Sequence, residues 1–290
     1  MSSFKSILRV LRMIRFEHSF FALPFVLCGS FIAADGWPPF VDLLLIIAAA
    51  VSARSGAMTY NRIRDRFHDA SNSRTQDREL ARGTMSLRFA IFFTLISILL
   101  FVLFSYLLSP LCGLLSLPCI VVLLGYSHLK NYTFLCHAGV GLALAISPAA
   151  AWLAVHKTFL GDWESPLWIG LGVLFWVSGF DILYALQDIE HDKKEGTFSL
   201  PLRFGERSSL KIVAALFALA LIAWQVGLNH SLEMQWSYAF LLVIGILLSF
   251  SVISVYRFGI ISSSRNLFRI NTWVPILFII GFSLDFFKMI

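Results

Sequence analysis

Two groups of acidic residues stand out by their spacing. The first is Asn61, Asp65 and Asp69, in NRIRDRFHD, and the second is Asp181, Asp188 and Asp192, in DILYALQDIEHD. Steps of four or seven residues place side chains on one face of a helix, so each group reads as a one-sided acidic stripe. Each sits at the end of a long apolar run, where carboxylates are costly and tend to be functional. If the stripes face each other, they need a cation: two carboxylates 4 Å apart repel by roughly 4 kcal/mol at an effective dielectric near 20. Mg²⁺ is the natural choice, because it takes oxygen ligands and bridges a few carboxylates to substrate phosphates. Asp65, Asp69, Asp188 and Asp192 are the expected metal ligands. Arg62, Arg74, Arg78 and Lys130 supply the positive charge that a diphosphate needs. A plainer reading takes each stripe as a solvated helix end whose acids pair with Arg62, Arg66 or Lys193.

The rest of the chain sets the medium. Of 290 residues, 58% are hydrophobic and only 14% charged, which points to a polytopic membrane protein rather than a soluble one. Nine apolar spans are expected, at roughly 17–34, 40–60, 87–108, 110–127, 134–155, 166–186, 209–228, 236–256 and 270–288. The start of the chain, with Lys5, Arg9, Arg12 and Arg15 before an apolar run, has the outline of a signal peptide. The poor cleavage site near Asp35 favours a retained first span. Polar stretches are expected at 61–86, 187–208 and 257–269, with the first acidic motif in the 61–86 loop and the second in 181–208.

With the N-terminus inside, all Lys and Arg but Lys157 and Lys288 fall on the cytoplasmic side. That asymmetry sets the N-terminus in and the C-terminus out, and it puts both acidic motifs at the cytoplasmic face. The expected architecture is one all-α domain over 1–290, with nine helices around a cavity open to cytoplasm and lipid. The net charge of +6 does not imply nucleic acid, because the basic residues cluster at span ends without interleaved aromatics. No protein partner is implied. Cys28, Cys112, Cys119 and Cys136 are scattered and read as small apolar fillers. His18, His128 and His137 make no ligand set and read as hydrogen-bonded or interfacial. Glu190-His191-Asp192 is a poor zinc site, because neighbours on a helix diverge by about 100°.

A site open to both lipid and cytosol suits a diphosphate carried on a polyisoprenoid. Loss of the diphosphate leaves an allylic cation, which aromatic walls shelter by cation–π contact. Tyr60, Phe67, Tyr126 and Tyr184 are the candidates.

These residues carry a family resemblance. Asn61, Asp65, Asp69, Arg74, Arg78 and Gly83 resemble the first signature of UbiA-type intramembrane prenyltransferases. Asp181, Tyr184, Ala185, Asp188 and Asp192 resemble the second, and Tyr126 with Lys130 in YSHLK matches a third. The likeness covers nearly the whole chain. It implies a Mg²⁺-dependent enzyme of the bacterial inner membrane that moves a polyprenyl group to a hydroxylated aromatic acid for respiratory quinone synthesis. Asn61, Asp65, Asp69, Asp188, Asp192 and Lys130 would do the catalysis, and Arg62, Arg74, Arg78, Tyr126, Asp181, Tyr184 and Arg54 would bind substrate. Arg62 is a departure, since much of the family has Asp there. Asn-Arg at this point, with RFEHSFFALPF and FLCHAGVGLALAISP, resembles a branch that prenylates 1,4-dihydroxy-6-naphthoate, so both that acceptor and 4-hydroxybenzoate stay open. Haem and chlorophyllide acceptors fit less well. Arg54, about two turns inside its span, either snorkels to the surface or reads the acceptor carboxylate. A transporter of an anionic solute would also explain nine spans, but not two acidic stripes on one face.

Overall fold

The computed structural model describes residues 10–14, 21–231, 233 and 235–289. Lys5, Arg9, Arg15, His18 and the opening of the expected 17–34 span lie outside the described residues. Regular structure among the described residues is helical: α1 (Leu23–Ala34), α2 (Phe40–Ser71), α3 (Leu87–Leu108), α4 (Pro110–Leu129), α5 (Cys136–His156), α6 (Glu164–Ala185), α7 (Ile189–Glu195), α8 (Leu200–Asn229), α9 (Trp236–Phe258) and α10 (Ile260–Met289). Eight of these are long and apolar enough to cross a membrane, which makes this an integral membrane protein. The described part of the first expected span, α1, is a shorter apolar helix of 12 residues.

Local sequence sets many of the boundaries. Ser86, Ser109 and Ser199 cap α3, α4 and α8 by accepting from Phe89, Cys112 and Leu202 N–H at 3.2, 3.1 and 3.4 Å. Pro24, Pro110 and Pro201 sit in the first turns of α1, α4 and α8, where the missing N–H costs nothing.

Four boundaries differ from expectation, and each has a local cause. The first acidic motif is not in a loop. NRIRDRFHDAS contains no Gly or Pro, so α2 runs on to Ser71 and carries Asn61, Asp65 and Asp69 on helix. At 1.5 Å per residue, its 32 residues reach about 48 Å, well beyond a hydrocarbon core of about 30 Å. The second motif is not one helical stripe. The backbone leaves α6 after Ala185 and restarts at Ile189, with Asp188 at φ −106°, ψ 3° in the break. α8 starts at Leu200 rather than 209, because Gly205 (φ 76°) lets a preceding turn join the span. Residues 260–269 are helical rather than loop, and the α9–α10 connection shrinks to Gly259 at φ 77°.

α6 packs between α5 and α8 and forms the centre of the bundle. Phe25 stacks on Trp224 at 5.8 Å and touches Trp176 and Phe278 at 5.7 and 4.9 Å, all nearly inaccessible to solvent. Close backbone approach needs small residues, as is usual between helices in lipid. A Cβ on Gly29 would lie 2.2 Å from the Pro148 carbonyl oxygen, so α1 meets α5 only because that atom is absent. α3 shows the opposite pattern, with Phe92, Leu95, Leu99 and Leu103 exposed along one lipid-facing side.

Away from the acidic motifs, Asp285 near the end of α10 is 1% exposed and caps α9. It accepts from Gln235, Trp236 and Ser237 N–H at 3.2, 2.8 and 2.7 Å. Asp285→Ala removes the acceptor for all three and should cost about 1–3 kcal/mol. A fall of several degrees in the melting temperature of detergent-purified protein is expected. An unchanged melt would show that the cap contributes nothing.

Candidate active site

One cavity of about 630 Å³ opens between α2, α4, α5 and α6, and all the acidic, basic and amide residues singled out from the sequence as catalytic, metal-binding or substrate-binding line it, with Tyr126 and Tyr184. The lower wall is α2. Because α2 continues past the apolar run, Asn61, Asp65 and Asp69 project from successive turns of rigid helix. Asp65 and Asp69 are buried. Opposite them stand Asp188, in the break after α6, and Asp192 on α7.

Each of these four carboxylates faces a basic side chain. Lys130 Nζ lies 2.8 Å from Asp65 Oδ1, while Asn61 Nδ2 donates to Asp65 Oδ2 at 3.2 Å and to Ser127 Oγ at 3.4 Å. Arg78 Nη1 donates to Asp69 Oδ1 at 2.7 Å. Arg74 grips Asp188 with two nitrogens, Nε to Oδ1 at 3.0 Å and Nη2 to Oδ2. Asn72 Nδ2 adds a bond to Asp188 Oδ1 at 2.9 Å. Asp192 Oδ1 lies 3.9 Å from His68 Nε2 and accepts from Thr197 Oγ1 at 3.2 Å. Burial by itself would raise the Asp188 carboxyl above its usual range. The Arg74 guanidinium and the Asn72 amide outweigh it and hold the group below that range, so Asp188 stays ionised near neutral pH.

Arg62 is 6% exposed, with Nε 3.5 Å from the Met13 carbonyl. Arg54 lies deeper on α2, and Tyr126 on α4 is within electrostatic reach of Arg54, Arg62 and Asp65. Of the four aromatic candidates, Tyr126 and Tyr184 line the cavity. Phe67 does not: it is largely exposed and lies under Arg66 at 4.1 Å. Tyr60 is turned away to His128, with its hydroxyl 2.8 Å from Nε2.

Sequence reading missed four participants. Asn72 and Ser127 carry no charge and no family spacing that marks them. His68 and His191, packed 4.5 Å apart at the mouth, come together only through the fold. His137 is hydrogen-bonded as expected, and its partner is Asp181, at 2.7 Å. Among the described residues no three His, Cys, Asp or Glu side chains converge as a ready-made metal site.

Chemically, paired carboxylates and basic side chains gather at one end of a largely apolar cavity. Carboxylates are available to a hard cation, and the basic groups that hold them are available to a phosphate.

The chain matches other proteins along nearly its full length. It is 31% identical to a 4-hydroxybenzoate octaprenyltransferase of Hydrogenovibrio crunogenus over 89% of each chain. Its fold superposes on an apo UbiA homolog from Aeropyrum pernix K1 with a TM-score of 0.83 and 26% identity, covering 94% of this chain and 98% of that one. A UbiA homolog from Archaeoglobus fulgidus bound to GPP and Mg²⁺ shares the fold at a TM-score of 0.64 and 20% identity, covering 95% and 98%. With residues 22–273 matching the family model, the chain whose carboxylates meet their counter-charges in this cavity belongs to the UbiA prenyltransferase family.

Proposed function

We propose that this chain is a prenyltransferase that moves a polyprenyl group from polyprenyl diphosphate to a hydroxylated aromatic acid of the 4-hydroxybenzoate type, in the synthesis of a respiratory quinone. The observation that carries the reading is the division of one cavity into two chemistries. Four carboxylates and the cations Arg74, Arg78 and Lys130 gather at one end. Small and apolar side chains such as Ala49, Ala53, Ala57, Leu115 and Leu123 line the rest. That matches a substrate with a charged head and a hydrocarbon tail. The name of the Hydrogenovibrio crunogenus relative supports the aromatic acceptor.

The donor set fits Mg²⁺. Asp65, Asp69, Asp188 and Asp192 offer hard oxygen ligands, and the first three are held by Lys or Arg side chains that a phosphate could engage instead. When bound, Mg²⁺ neutralises the diphosphate and the charge that develops on its leaving oxygen. In this reading Arg74, Arg78 and Lys130 turn from carboxylate to phosphate, so no buried charge is left alone. Asn61 holds Asp65 in place through its amide. Tyr126 and Tyr184 shelter the allylic carbon as positive charge builds there. Arg62 or Arg54 reads the acceptor carboxylate.

The chain acts as one domain spanning 1–290. Nine apolar segments cross the inner membrane, with the N-terminus and the cavity mouth at the cytoplasmic face. No protein partner or nucleic acid is involved. The placement of the two remaining Lys residues supports this orientation: Lys157 pairs with Asp42 at 2.8 Å and Lys288 donates to Gln235 at 2.6 Å, both at span ends remote from the acidic motifs.

Purified protein in lipid nanodiscs, given Mg²⁺ and a polyprenyl diphosphate, should release pyrophosphate only when the aromatic acceptor is present. Running 4-hydroxybenzoate against 1,4-dihydroxy-6-naphthoate identifies the acceptor, and release with neither would overturn the reading. Asp188→Asn should lower turnover at least a hundredfold, about 2.7 kcal/mol of barrier, and near-normal turnover at saturating Mg²⁺ would remove Asp188 from the site. Lys130→Ala should raise the apparent KM for the prenyl donor more than that for the acceptor; the opposite pattern would assign Lys130 to the acceptor. For Arg62→Asp and Arg54→Ala, acceptor affinity measured at fixed donor should fall in at least one. If both bind it normally, the carboxylate is read elsewhere.

A further inference from the structure

A fifth carboxylate lines the cavity apart from the four already described, with no Lys or Arg side chain paired to it among the described residues. Asp181 sits on α6 four residues before its end at Ala185, about 6 Å inward along the helix from the break that holds Asp188. Its side chain is 39% exposed and lines the cavity. Its one hydrogen-bond partner among the described residues is a histidine: His137 Nδ1 lies 2.7 Å from Asp181 Oδ2.

That histidine is fixed on three sides. The Leu200 N–H donates to its Nε2 at 3.2 Å. Nε2 is therefore an acceptor and carries no proton, so the ring is neutral and its proton sits on Nδ1, which donates to Asp181. Ser178 Oγ donates to the His137 carbonyl at 3.2 Å and ties the start of α5 to α6 one turn before Asp181. The ring is 4% exposed. It cannot turn, and with Nε2 occupied by a backbone amide it cannot pass a proton onward. What it does is hold Oδ2 and leave Oδ1 directed to the cavity without a bond from any described residue.

We infer that Asp181 Oδ1 is the base that accepts the ring-hydroxyl proton of the aromatic acceptor, and that His137 is the positioning residue that aims it. This rests on the prenyl-transfer reading above. The depth suits it: the diphosphate head lies among Asp65, Asp69, Asp188 and Asp192, and the reacting carbon lies inward of the head. The balance of the step is as follows. The prenyl C–O bond breaks and its electron pair leaves with pyrophosphate. The ring carbon ortho to the hydroxyl forms the new C–C bond as the O–H pair moves into the ring and the proton passes to Asp181, which gives a cyclohexadienone. The ortho C–H proton then goes to water, and Asp181 returns its proton to the oxygen. One proton and one pyrophosphate are released in all. A carboxylate already committed to Lys or Arg is a poor base for this task, which sets Asp181 apart from Asp65, Asp69 and Asp188, while Asp192 lies on α7, beyond the break.

The test uses full-length protein in nanodiscs with Asp181→Asn, His137→Ala and His137→Gln. Binding of the prenyl diphosphate in Mg²⁺, followed by calorimetry, should match wild type in all three and shows that each is folded. For 4-hydroxybenzoate, Asp181→Asn should lower kcat about a hundredfold and His137→Ala about tenfold. His137→Gln should recover most of the second loss, because its amide can still donate to Oδ2. A purely structural role for the pair would not change with the acidity of the acceptor. Proton removal would: with 3-fluoro-4-hydroxybenzoate, whose hydroxyl ionises more readily, the deficit of Asp181→Asn should shrink severalfold. A deficit that stays constant across the two acceptors, or acceptor kcat within threefold of wild type in both Asp181→Asn and His137→Ala, overturns the inference. Failure of the parent reading looks different, since wild type itself would then prenylate neither acid.

Discussion

A carboxylate near lipid is costly to keep charged unless a counter-charge or hydrogen bonds compensate it, and this protein places four of them at one end of a single cavity. The whole arrangement answers that constraint. Asp65 is held by Lys130 just past the end of α4, Asp69 by Arg78 from the α2–α3 connection, Asp188 by Arg74 from the same connection, and Asp192 lies near His68. Each pairing joins two segments, so satisfying the charges also fixes α2, α4, α6 and α7 relative to one another. The aromatic packing of Phe25, Trp176, Trp224 and Phe278 then stiffens the half of the bundle that carries the second motif. Attraction between such pairs only offsets desolvation when geometry is good and the remaining lone pairs are filled. Asn61, Asn72 and Thr197 do that filling.

Charges held this way are stored rather than spent. An ion pair at this site keeps both members ionised and close to where, in the proposed reaction, a phosphate and a metal would each take one of them. Exchanging partners costs less than exposing bare charges would, since the number of opposite-charge contacts need not fall. Asp181 stands outside that exchange. It is deeper, it is braced by a neutral ring, and its free oxygen faces the chamber.

Much of this was legible in the residues themselves. Asp at i and i+4 on an uninterrupted polar helix end is visible as a pattern, and so is apolar length. The membrane class, most spans, the first stripe and the cations around it follow from those two signals. What sequence could not give were contacts set by the fold. Nothing local says that the chain breaks at Leu186 to Asp188, because DILYALQDIEHD contains no Gly or Pro; the break turns one expected stripe into two pieces on either side of a bend. Nor does any spacing announce that His137 meets Asp181 across 44 positions, or that Asn72 meets Asp188 across 116. Residues 260–269 differ from the sequence pattern for another reason. SSSRN is polar enough to resemble a loop, yet it contains no helix breaker, and the single Gly259 before it is enough to turn the chain.

The length of α2 bears on how the molecule is made. A chain inserted into membrane from its N-terminus presents Asp65 and Asp69 before Arg78 has left the ribosome's vicinity, and long before Lys130. Asp188, in turn, appears 114 residues after the Arg74 that will hold it. No early acidic turn could rest in hydrocarbon through that interval. Because α2 outruns the bilayer by about a dozen residues, its charged end can wait in water while the later helices are threaded. The surplus turns of helix that build the finished cavity thus also serve as a mooring during assembly, and shortening α2 by a turn or two would be felt first in biogenesis, before any question of turnover arose.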